Sequence, residues 1–480
     1  MKRIVTLLIG CLILGATWAN NVKIENVSYT AINGGTQYEI TFDISWENAW
    51  NLDSYFSDAV WVFAKYKTPM NPVWRHLKIS NDLIGSAGEL GHRTTADKMG
   101  VIVALATSKV GNVAPTQLKI TSDVLPTPSS IADIKLFAVE MVVVPDGPFW
   151  LGDGSDKSVY SVLNSPDFAP IYVDQNQSNL QVTLNASQNL SQFIDVFTDG
   201  FLAMKYECSR AQFVAFFNLL TLSQQDSIST KNLLTQNTEV FEVFENVSGI
   251  KARNPNFPDP PQEALEIYLD NGANGIYNEV ADGSHLPMVG ADVYGMLAYA
   301  DWSGMRPMTE AQYEKSCRGP LYPVPGEYAW GNNQITPVSA SDSVNPGFYS
   351  QKFKAIVGNN NESLARVGFM SGPNTNSRYT SSSSYYGICD LTGNAIELVV
   401  WSSAGLQVAV DGDGELNQFA ESDWIQIIGY NLTASQKGGG INTSAGFLST
   451  VSQYQSVDRA SSLSPNRGNV GFRTVRSRNF

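Results

Sequence analysis

The strongest constraint on the fold of this chain is that clear helix signals are confined to residues 208–319. Capping boxes begin at Ser209 and Thr309, each with a glutamine three residues later. A further helix is predicted over 292–304, where a glycine ends the apolar pattern. After these helices, long Asn-, Ser- and Gly-rich connections dominate. The pattern predicts an α+β domain over 136–480, with few helices and much irregular backbone.

The residues before this domain carry a different pattern, because short runs rich in β-branched and aromatic residues alternate with turn residues. No convincing amphipathic helix interrupts these runs. Such a texture is typical of a β-sandwich. The sequence therefore predicts a β-sandwich domain at 20–135, whose last residues form a Pro- and Ser-rich linker at 124–133. The predicted strands lie at 36–46, 58–67, 101–108 and 116–124.

Residues 1–19 have the features of a secretory signal peptide. Lys2 and Arg3 precede an apolar run, and small residues follow before a predicted cleavage after Ala19. Residues around Cys11 loosely resemble a lipoprotein cleavage box, although the apolar run continues past it. No later segment approaches 18 uninterrupted apolar residues, so no transmembrane segment is expected in the mature chain. We expect an exported protein that is periplasmic, outer-membrane-associated or extracellular.

The charge balance argues against one class of partner. The chain has 45 acidic and 31 basic residues, a net charge of −14. An acidic surface repels phosphate backbones, so nucleic-acid binding is disfavoured. The 10 tryptophans and 20 tyrosines invite a carbohydrate-binding interpretation, since aromatic faces stack on sugars, although most such residues belong to cores or rims. A protein or glycan of the cell envelope is the expected partner.

The cysteines and histidines exclude two kinds of site. Cys208, Cys317 and Cys389 are odd in number and far apart, so they do not form a disulfide framework. One bridge with a spare thiol, or three separate buried thiols, both remain open. The chain has only 3 histidines, none at helical spacing from another, which excludes a metal centre of the H-E-x-x-H kind.

Several motifs in a fixed order resemble the formylglycine-generating enzyme family, also called the sulfatase-modifying factor family. The resemblance covers about residues 137–477, and its most specific part is 286–319, with Pro-x-V-G, a helix, W-x-G-x-R and T-E-A-x-Y-E. The other motifs are MVVVPDGPFWLGDG, YECSRAQFVAFFN, YAWGN, GICDLTGNAIELVVW, GGG and NVGFRTVR. The resemblance implies a C-type-lectin-like fold. It also implies an activity, the oxygen-dependent conversion of a cysteine in a target sulfatase to formylglycine.

In that family, two cysteines after a glycine turn bind copper(I), because soft thiolates select this ion. Alignment of Gly438 and Gly439 with the family's glycines puts the two cysteine positions on Thr443 and Leu448. No cysteine follows Cys389, so copper is not expected, and no catalytic residue is assigned. The sequence favours a non-catalytic binding or assembly module, a pseudoenzyme of this family. The alternative is an oxidoreductase of the formylglycine-generating type that modifies a protein cysteine with other ligands. A hydrolase or isomerase in the same cleft ranks last.

The resemblance also implies calcium at the segment 389–401, although isoleucine and leucine replace the two tryptophans of the family's motif. Hard oxygens of the kind that Ca²⁺ prefers come from the Asn394 and Glu397 side chains and the Gly393 and Ala395 carbonyls. A second site near Asn345 is a weaker expectation. The alternative is that Asn394 forms a turn and Glu397 pairs with an arginine in the core.

Two further features have competing interpretations. Arg473 in the closing Gly-Phe-Arg motif is expected to make a structural ion pair or to bind carbonyls, rather than to act as a functional cation. The run VDGDGELNQ at 410–418 looks like a calcium loop, but a β-hairpin with Asp-Gly turns is favoured. The run DNGANGIYNE at 270–279 lacks the last acidic residue of an EF-hand and is expected to be a surface loop.

Overall fold

The structure of the chain is a computed structural model. It describes residues 21–53, 55–80, 84–125, 131–156, 158, 160–162, 167–176, 181–184, 186–189, 198–229, 250–253, 263–270, 276–278, 282–338, 354–357, 364–371, 377–400, 410–424, 434–441, 451–452, 455–457 and 469–478. The helices in these ranges are α1 (Arg210–Phe217), α2 (Leu222–Ile228), α3 (Val293–Trp302), α4 (Glu310–Arg318) and α5 (Arg378–Ser381).

Strands outnumber helices along the described chain. The strands of the N-terminal part are β1 (Lys23–Ile32), β2 (Gln37–Asn51), β3 (Asp58–Thr68), β4 (Asn71–Leu77), β5 (Ile84–Ala87), β6 (Leu90–Thr94), β7 (Val101–Leu105), β8 (Lys109–Thr121) and β9 (Asp133–Val144). Those that follow are β10 (Phe149–Leu151), β11 (Ser161–Val162), β12 (Ile171–Val173), β13 (Gln181–Leu184), β14 (Ala186–Asn189), β15 (Phe201–Met204), β16 (Ile250–Arg253), β17 (Glu266–Leu269), β18 (Arg306–Pro307), β19 (Thr336–Pro337), β20 (Lys354–Ala355), β21 (Ile396–Val400), β22 (Ala434–Lys437), β23 (Gln455–Val457), β24 (Val470–Phe472) and β25 (Thr474–Ser477). The described chain is therefore sheet-rich with few helices, as the α+β prediction requires.

Two sheets enclose the N-terminal core. One sheet has the order β1-β2-β8, and its central strand β2 alternates buried and partly exposed residues along most of its length, as expected for a strand with one face on a core. The other sheet contributes β3, β6 and β7, whose inward residues pack against those of β2 and β8. Burial of this shared apolar surface holds the two sheets together.

Strand β3 belongs to two cores at once. Val60 and Val62 face the N-terminal core, whereas Trp61 and Phe63 face the core that contains α1 and α3. The indole of Trp61 donates to the Ser303 carbonyl over 2.9 Å. A strand that is apolar on both faces must be covered on both, so β3 joins the N-terminal part to the helices.

Strand β9 makes the connection continuous. It pairs antiparallel with β3, from Asp58 opposite Val142 to Lys67 opposite Asp133, and with β15 on its other side. The result is a nine-stranded sheet with the order β18-β25-β15-β9-β3-β7-β6-β5, with β4 also paired to β3. The predicted domain boundary at 135/136 falls inside β9. The strands on the two sides of this boundary therefore belong to one sheet.

A buried charge cluster lies where the two parts meet. The ammonium of Lys205, just after β15, lies 2.9 Å from Asp58 of β3 and 3.1 Å from Glu140 of β9. All three side chains are at least 98% buried, and the same ammonium lies 4.4 Å from the ring centroid of Trp50. Burial raises the pKa of the Asp58 and Glu140 carboxyls, while the nearby Lys205 charge acts against that shift. The cluster is an internal ion pair network that fixes β3, β9 and β15 together.

The predicted helices occur where their capping signals lie. Ser209 and Thr309 each accept from the backbone of the glutamine three residues on, which completes the predicted capping boxes of α1 and α4. Helix α3 begins after Asp292, whose carboxylate accepts the Gly295 N–H at 2.8 Å. The sequence analysis missed α2, although Thr221 begins the same kind of box, and it missed the single turn α5. None of the described helices is long and apolar enough to cross a membrane.

Candidate functional site

The segment 389–397, predicted to bind calcium, forms a tight turn that leads into β21. Gly393 has φ +90° and Asn394 has φ +65°, both in the left-handed region. A Cβ at Gly393 would lie 2.9 Å from the backbone nitrogen and oxygen of Ile356, so only glycine fits there. The turn at Asn394 is the one that the alternative to a calcium site predicted, and it aims the Asn394 side chain into the protein.

The side chain of Asn394 is held at both ends. Its Oδ1 accepts the Ala365 N–H at 3.0 Å, and its Nδ2 donates to Glu207 Oε2 at 2.6 Å. The other oxygen of Glu207 accepts the Ala395 N–H at 2.8 Å. Sequence analysis missed Glu207, which lies two residues before the Ser209 cap inside one of the quoted motifs. Glu207 thus holds the turn in place through its hydrogen bonds with Asn394 and Ala395.

Glu397 and Arg473 form a buried ion pair. Arg473 Nε donates to Glu397 Oε2 at 2.7 Å, and its Nη2 donates to Oε1. The guanidinium also donates to the carbonyls of Cys389 at 2.9 Å and Met204 at 3.1 Å. Both side chains are at least 99% buried. The structure thus shows the pairing of Glu397 with a core arginine that was the alternative to calcium, and it confirms the expected ion pair and carbonyl contacts of Arg473.

The surroundings of this pair are rich in carboxylates. Burial raises the pKa of Glu207 well above its ordinary value, and the neighbouring Asp390 and Glu397 charges raise it further. Burial likewise raises the pKa of Asp390 to about 6, although the Gly368 N–H that it accepts and the Arg473 charge act against this shift. The Arg473 charge therefore stabilises this buried acidic group, and the Arg366 charge also acts on Asp390.

The calcium prediction requires oxygens that are committed elsewhere in this structure. Both oxygens of Glu397 face Arg473, and the Asn394 carboxamide bridges Glu207 and Ala365. A cation bound here would have to compete with a buried guanidinium, so these side chains do not fit a calcium site in this arrangement. Calcium at this segment stays a prediction. The weaker expectation at Asn345 lies outside the described residues.

The glycine turn after β22 packs directly on this segment. Gly438 and Gly439 have φ +83° and +64°. The Gly438 carbonyl accepts the Gly393 N–H at 2.9 Å, and a Cβ at Gly438 would lie 2.9 Å from the Leu391 oxygen. Close backbone approach therefore explains the glycines. Thr443 and Leu448, which the resemblance aligns with the family's two cysteines, lie outside the described residues.

The three cysteines after the predicted signal peptide are free and buried. Of the alternatives that the sequence left open, three separate buried thiols is the one that the structure shows. Burial raises the pKa of Cys389 to about 12 and those of Cys208 and Cys317 further still. Copper(I) needs accessible thiolates, so these thiols do not fit the family's copper chemistry.

The run at 410–418 is not a hairpin. No strand occurs in the described residues 410–424, so the favoured prediction there is wrong. The glycines serve close packing instead: a Cβ at Gly412 would lie 2.4 Å from Asp301 Cα, and one at Gly414 would lie 2.3 Å from His76 Nδ1. The run is an irregular segment that packs closely against α3 and β4. The run at 270–279 lies mostly outside the described residues.

The region that contains these contacts matches a known protein family. A family model described as "Sulfatase-modifying factor enzyme 1-like domain" matches residues 133–478. No curated protein matches the chain. The matched region starts at the first residue of β9 and ends just after β25. It therefore contains the turn at 393–394, the ion pair of Glu397 with Arg473, and the glycine turn.

Proposed function

The chain belongs to the family of sulfatase-modifying factor enzyme 1-like domains, and from that premise we propose that it is a non-catalytic member acting as an exported binding or assembly module. The observation that carries the proposal is the absence of any cysteine after Cys389 in the sequence. The resemblance puts the two copper-binding cysteines of the family at Thr443 and Leu448. A threonine hydroxyl is a hard oxygen donor and leucine offers no ligand atom.

The remaining thiols do not replace the missing pair. Cys208, Cys317 and Cys389 are buried and separate, and their raised pKa values keep them protonated near neutral pH. Copper oxidation of a substrate cysteine therefore lacks its metal ligands. What is retained is the scaffold around Glu397 and Arg473, which stabilises a fold without performing chemistry.

The attachment of the N-terminal residues supports an assembly role. Strand β3 pairs with β9, the first strand of the matched region, and Lys205 ties both strands to β15. Because these strands share one sheet, the N-terminal sheets are held in a fixed orientation, which a rigid assembly module requires. The predicted signal peptide at 1–19 supports export to the periplasm, the outer membrane or the exterior.

The finer features of the fold are part of the same proposal. We infer a β-sandwich for 20–135 and a C-type-lectin-like arrangement for 136–480. The two sheets around the N-terminal core and the irregular backbone of the matched region support them. The partner is a protein or a glycan of the cell envelope.

Family membership favours one alternative function, an oxidoreductase of the formylglycine-generating type that holds its metal with other ligands. A peptide assay separates the two. The mature protein is incubated with copper(I), oxygen, a reductant and a peptide that carries the sulfatase cysteine motif, and aldehyde is detected with a hydrazide probe. We expect no aldehyde from the wild type. A catalytic yield of aldehyde would overturn the proposal.

Binding is tested separately by co-sedimentation with envelope fractions of the cells that produce the protein. One fraction is untreated, one is treated with protease and one with periodate. We expect sedimentation with the untreated fraction, lost after protease for a protein partner or after periodate for a glycan partner. A protein that stays in solution with the untreated fraction would contradict the binding role.

A further inference from the structure

Three aspartates from distant parts of the chain meet beside the C-terminal end of α3. Asp301 belongs to the last turn of α3, and Asp413 and Asp423 belong to the irregular segment 410–424. One carboxylate oxygen from each lies within 4.8 Å of the others. Carboxylates this close repel one another, so the arrangement needs a positive charge or a proton among them.

Asp301 has an oxygen that the described residues leave unsatisfied. The residue is fully buried, and its Oδ2 accepts the Asp423 N–H at 2.9 Å. Its Oδ1 has no hydrogen-bond partner in the described part of the chain. A Cβ at Gly412 would lie 2.6 Å from this Oδ1, so the oxygen faces the segment that carries Asp413. A buried carboxylate oxygen without a donor is costly, which points to a ligand from outside the chain.

The charges around the three aspartates do not balance. Lys65 is the basic residue whose charge acts on Asp301, and Glu415 adds a further negative charge near Lys65. The Lys65 ammonium donates to the Gly414 carbonyl at 2.6 Å and lies 5.0 Å from the ring centroid of Trp302. One lysine, already bound to a carbonyl, cannot neutralise three carboxylates.

The neighbouring Asp411 does not join the three. It lies 3.5 Å from Arg306 and 3.8 Å from Arg476, and it accepts the Ser477 N–H at 2.9 Å. A single glycine, Gly412, therefore separates Asp411, which is paired with arginines, from Asp413, which faces Asp301. Asp411 thus takes part in ion pairs with arginines, whereas Asp413 belongs to the three-carboxylate group.

The distances suit a calcium ion. Two oxygens on opposite sides of one Ca²⁺, each at about 2.4 Å, are about 4.8 Å apart. All three side chains offer hard oxygens, and Ca²⁺ accepts one or both oxygens of each carboxylate. Asp413 is exposed and Asp423 is partly exposed, so water reaches the site and can complete the coordination.

We propose that Asp301, Asp413 and Asp423 bind one calcium ion. The ion fastens segment 410–424 to α3, and through this segment it reinforces the junction of the two parts of the protein. The Glu415 carboxylate accepts the His76 N–H of β4 at 2.8 Å, and the Gly412 N–H donates to the Met305 carbonyl at 2.9 Å. The site is distinct from the segment 393–397, where the family resemblance predicts calcium.

The test uses the mature protein stripped of metal with EDTA and titrated with CaCl₂ by calorimetry. Terbium(III) luminescence, excited through tryptophan, reports the same site, because Trp302 and Trp424 each adjoin one of the aspartates in sequence. We expect about one equivalent of Ca²⁺ and a terbium signal that Ca²⁺ displaces. The double variant Asp413→Asn/Asp423→Asn should bind at least about tenfold more weakly, since the affinity follows the number of charged ligands. The exposed Asp156→Asn is the matched control and should bind like the wild type.

Stability separates a metal site from a merely structural role. Without calcium, the double variant should be at least as stable to urea as the wild type, because two repelling charges are removed. With calcium, only the wild type should gain stability. Absence of calcium binding would mean that a proton on Asp301 occupies the site and would overturn the proposal. Unchanged affinity in the double variant, or an equal loss of stability with and without calcium, would also overturn it.

Discussion

The ion pair of Glu397 with Arg473 gives the sharpest test of the view that this segment is structural. Arg473→Met leaves the Glu397 carboxylate buried without its cation. Both side chains are at least 99% buried, and loss of one partner of such a pair costs about 3–5 kcal/mol. The variant also releases the carbonyls of Cys389 and Met204, which Arg473 binds. We therefore expect a loss at the upper end of this range.

The double variant Glu397→Leu/Arg473→Met isolates the coupling. It leaves no unpaired charge in the pair. Its remaining costs are the two released carbonyls, about 1–3 kcal/mol in all, and the loss of the Arg473 charge beside Glu207 and Asp390, which the single Arg473→Met variant shares. Each single variant should lose about 3–5 kcal/mol. The double variant should then lose less than the two single losses combined, by about 3 kcal/mol or more.

Urea unfolding followed by tryptophan fluorescence measures these losses. With a slope of about 3 kcal/mol per molar urea, a loss of 3–5 kcal/mol lowers the midpoint by about 1–1.7 M. Losses below about 1 kcal/mol in the single variants, or simple additivity in the double variant, would refute the structural role. A calcium-dependent midpoint that Glu397→Leu abolishes and Arg473→Met preserves would instead make Glu397 a calcium ligand.

Three further predictions follow from other buried groups. Lys205→Met leaves Asp58 and Glu140 buried without a cation, so it should cost about 3–5 kcal/mol. Because these residues join both parts of the chain, the loss should appear in one cooperative urea transition. A separate N-terminal transition that the variant leaves unchanged would contradict the shared sheet. Burial raises the pKa of Glu310 from 4.5 to about 7, against the opposing charge of Lys437. The stability from protonated Glu310 is complete below pH 4.5 and is lost as the pH rises to about 7. Wild-type stability should thus fall by up to roughly 3 kcal/mol between pH 4.5 and 8 through this group. Glu310→Gln should lack that part of the pH dependence, and equal pH profiles in urea would disprove the assignment. Cys208, Cys317 and Cys389 are buried, so a colourimetric thiol reagent should react with none of them in the native mature protein and with all three in urea. Rapid reaction of the native protein would contradict their burial.

Local signals in the sequence predicted part of the local structure. The boxes at Ser209 and Thr309 start helices because their side-chain bonds involve residues only three positions apart. The glycine turn at 438–439 was also expected, and the ion pair of Glu397 was the alternative to the calcium prediction. In each case the required chemistry could be taken from a short motif or from the resemblance.

Pairings between distant residues could not be predicted in the same way. The pairing of β3 with β9 joins residues about 75 positions apart, and no local pattern specifies a strand's partner. Glu207 is a single acid, and only its contact with Asn394 reveals its role. The run at 410–418 has the composition of a hairpin, yet its glycines allow close contact with Asp301 and His76. Tertiary packing overrides turn propensity there.

The central claim is that this member of the family has lost its copper chemistry while keeping its scaffold. A titration of the mature protein with copper(I) against a competing chelator tests it most directly, with total metal analysis of the same sample. The variant Thr443→Cys/Leu448→Cys serves as the matched control, since it restores thiols at the former positions. We predict that the wild type fails to compete for copper, whereas the variant competes. Tight stoichiometric copper(I) in the wild type would contradict the account.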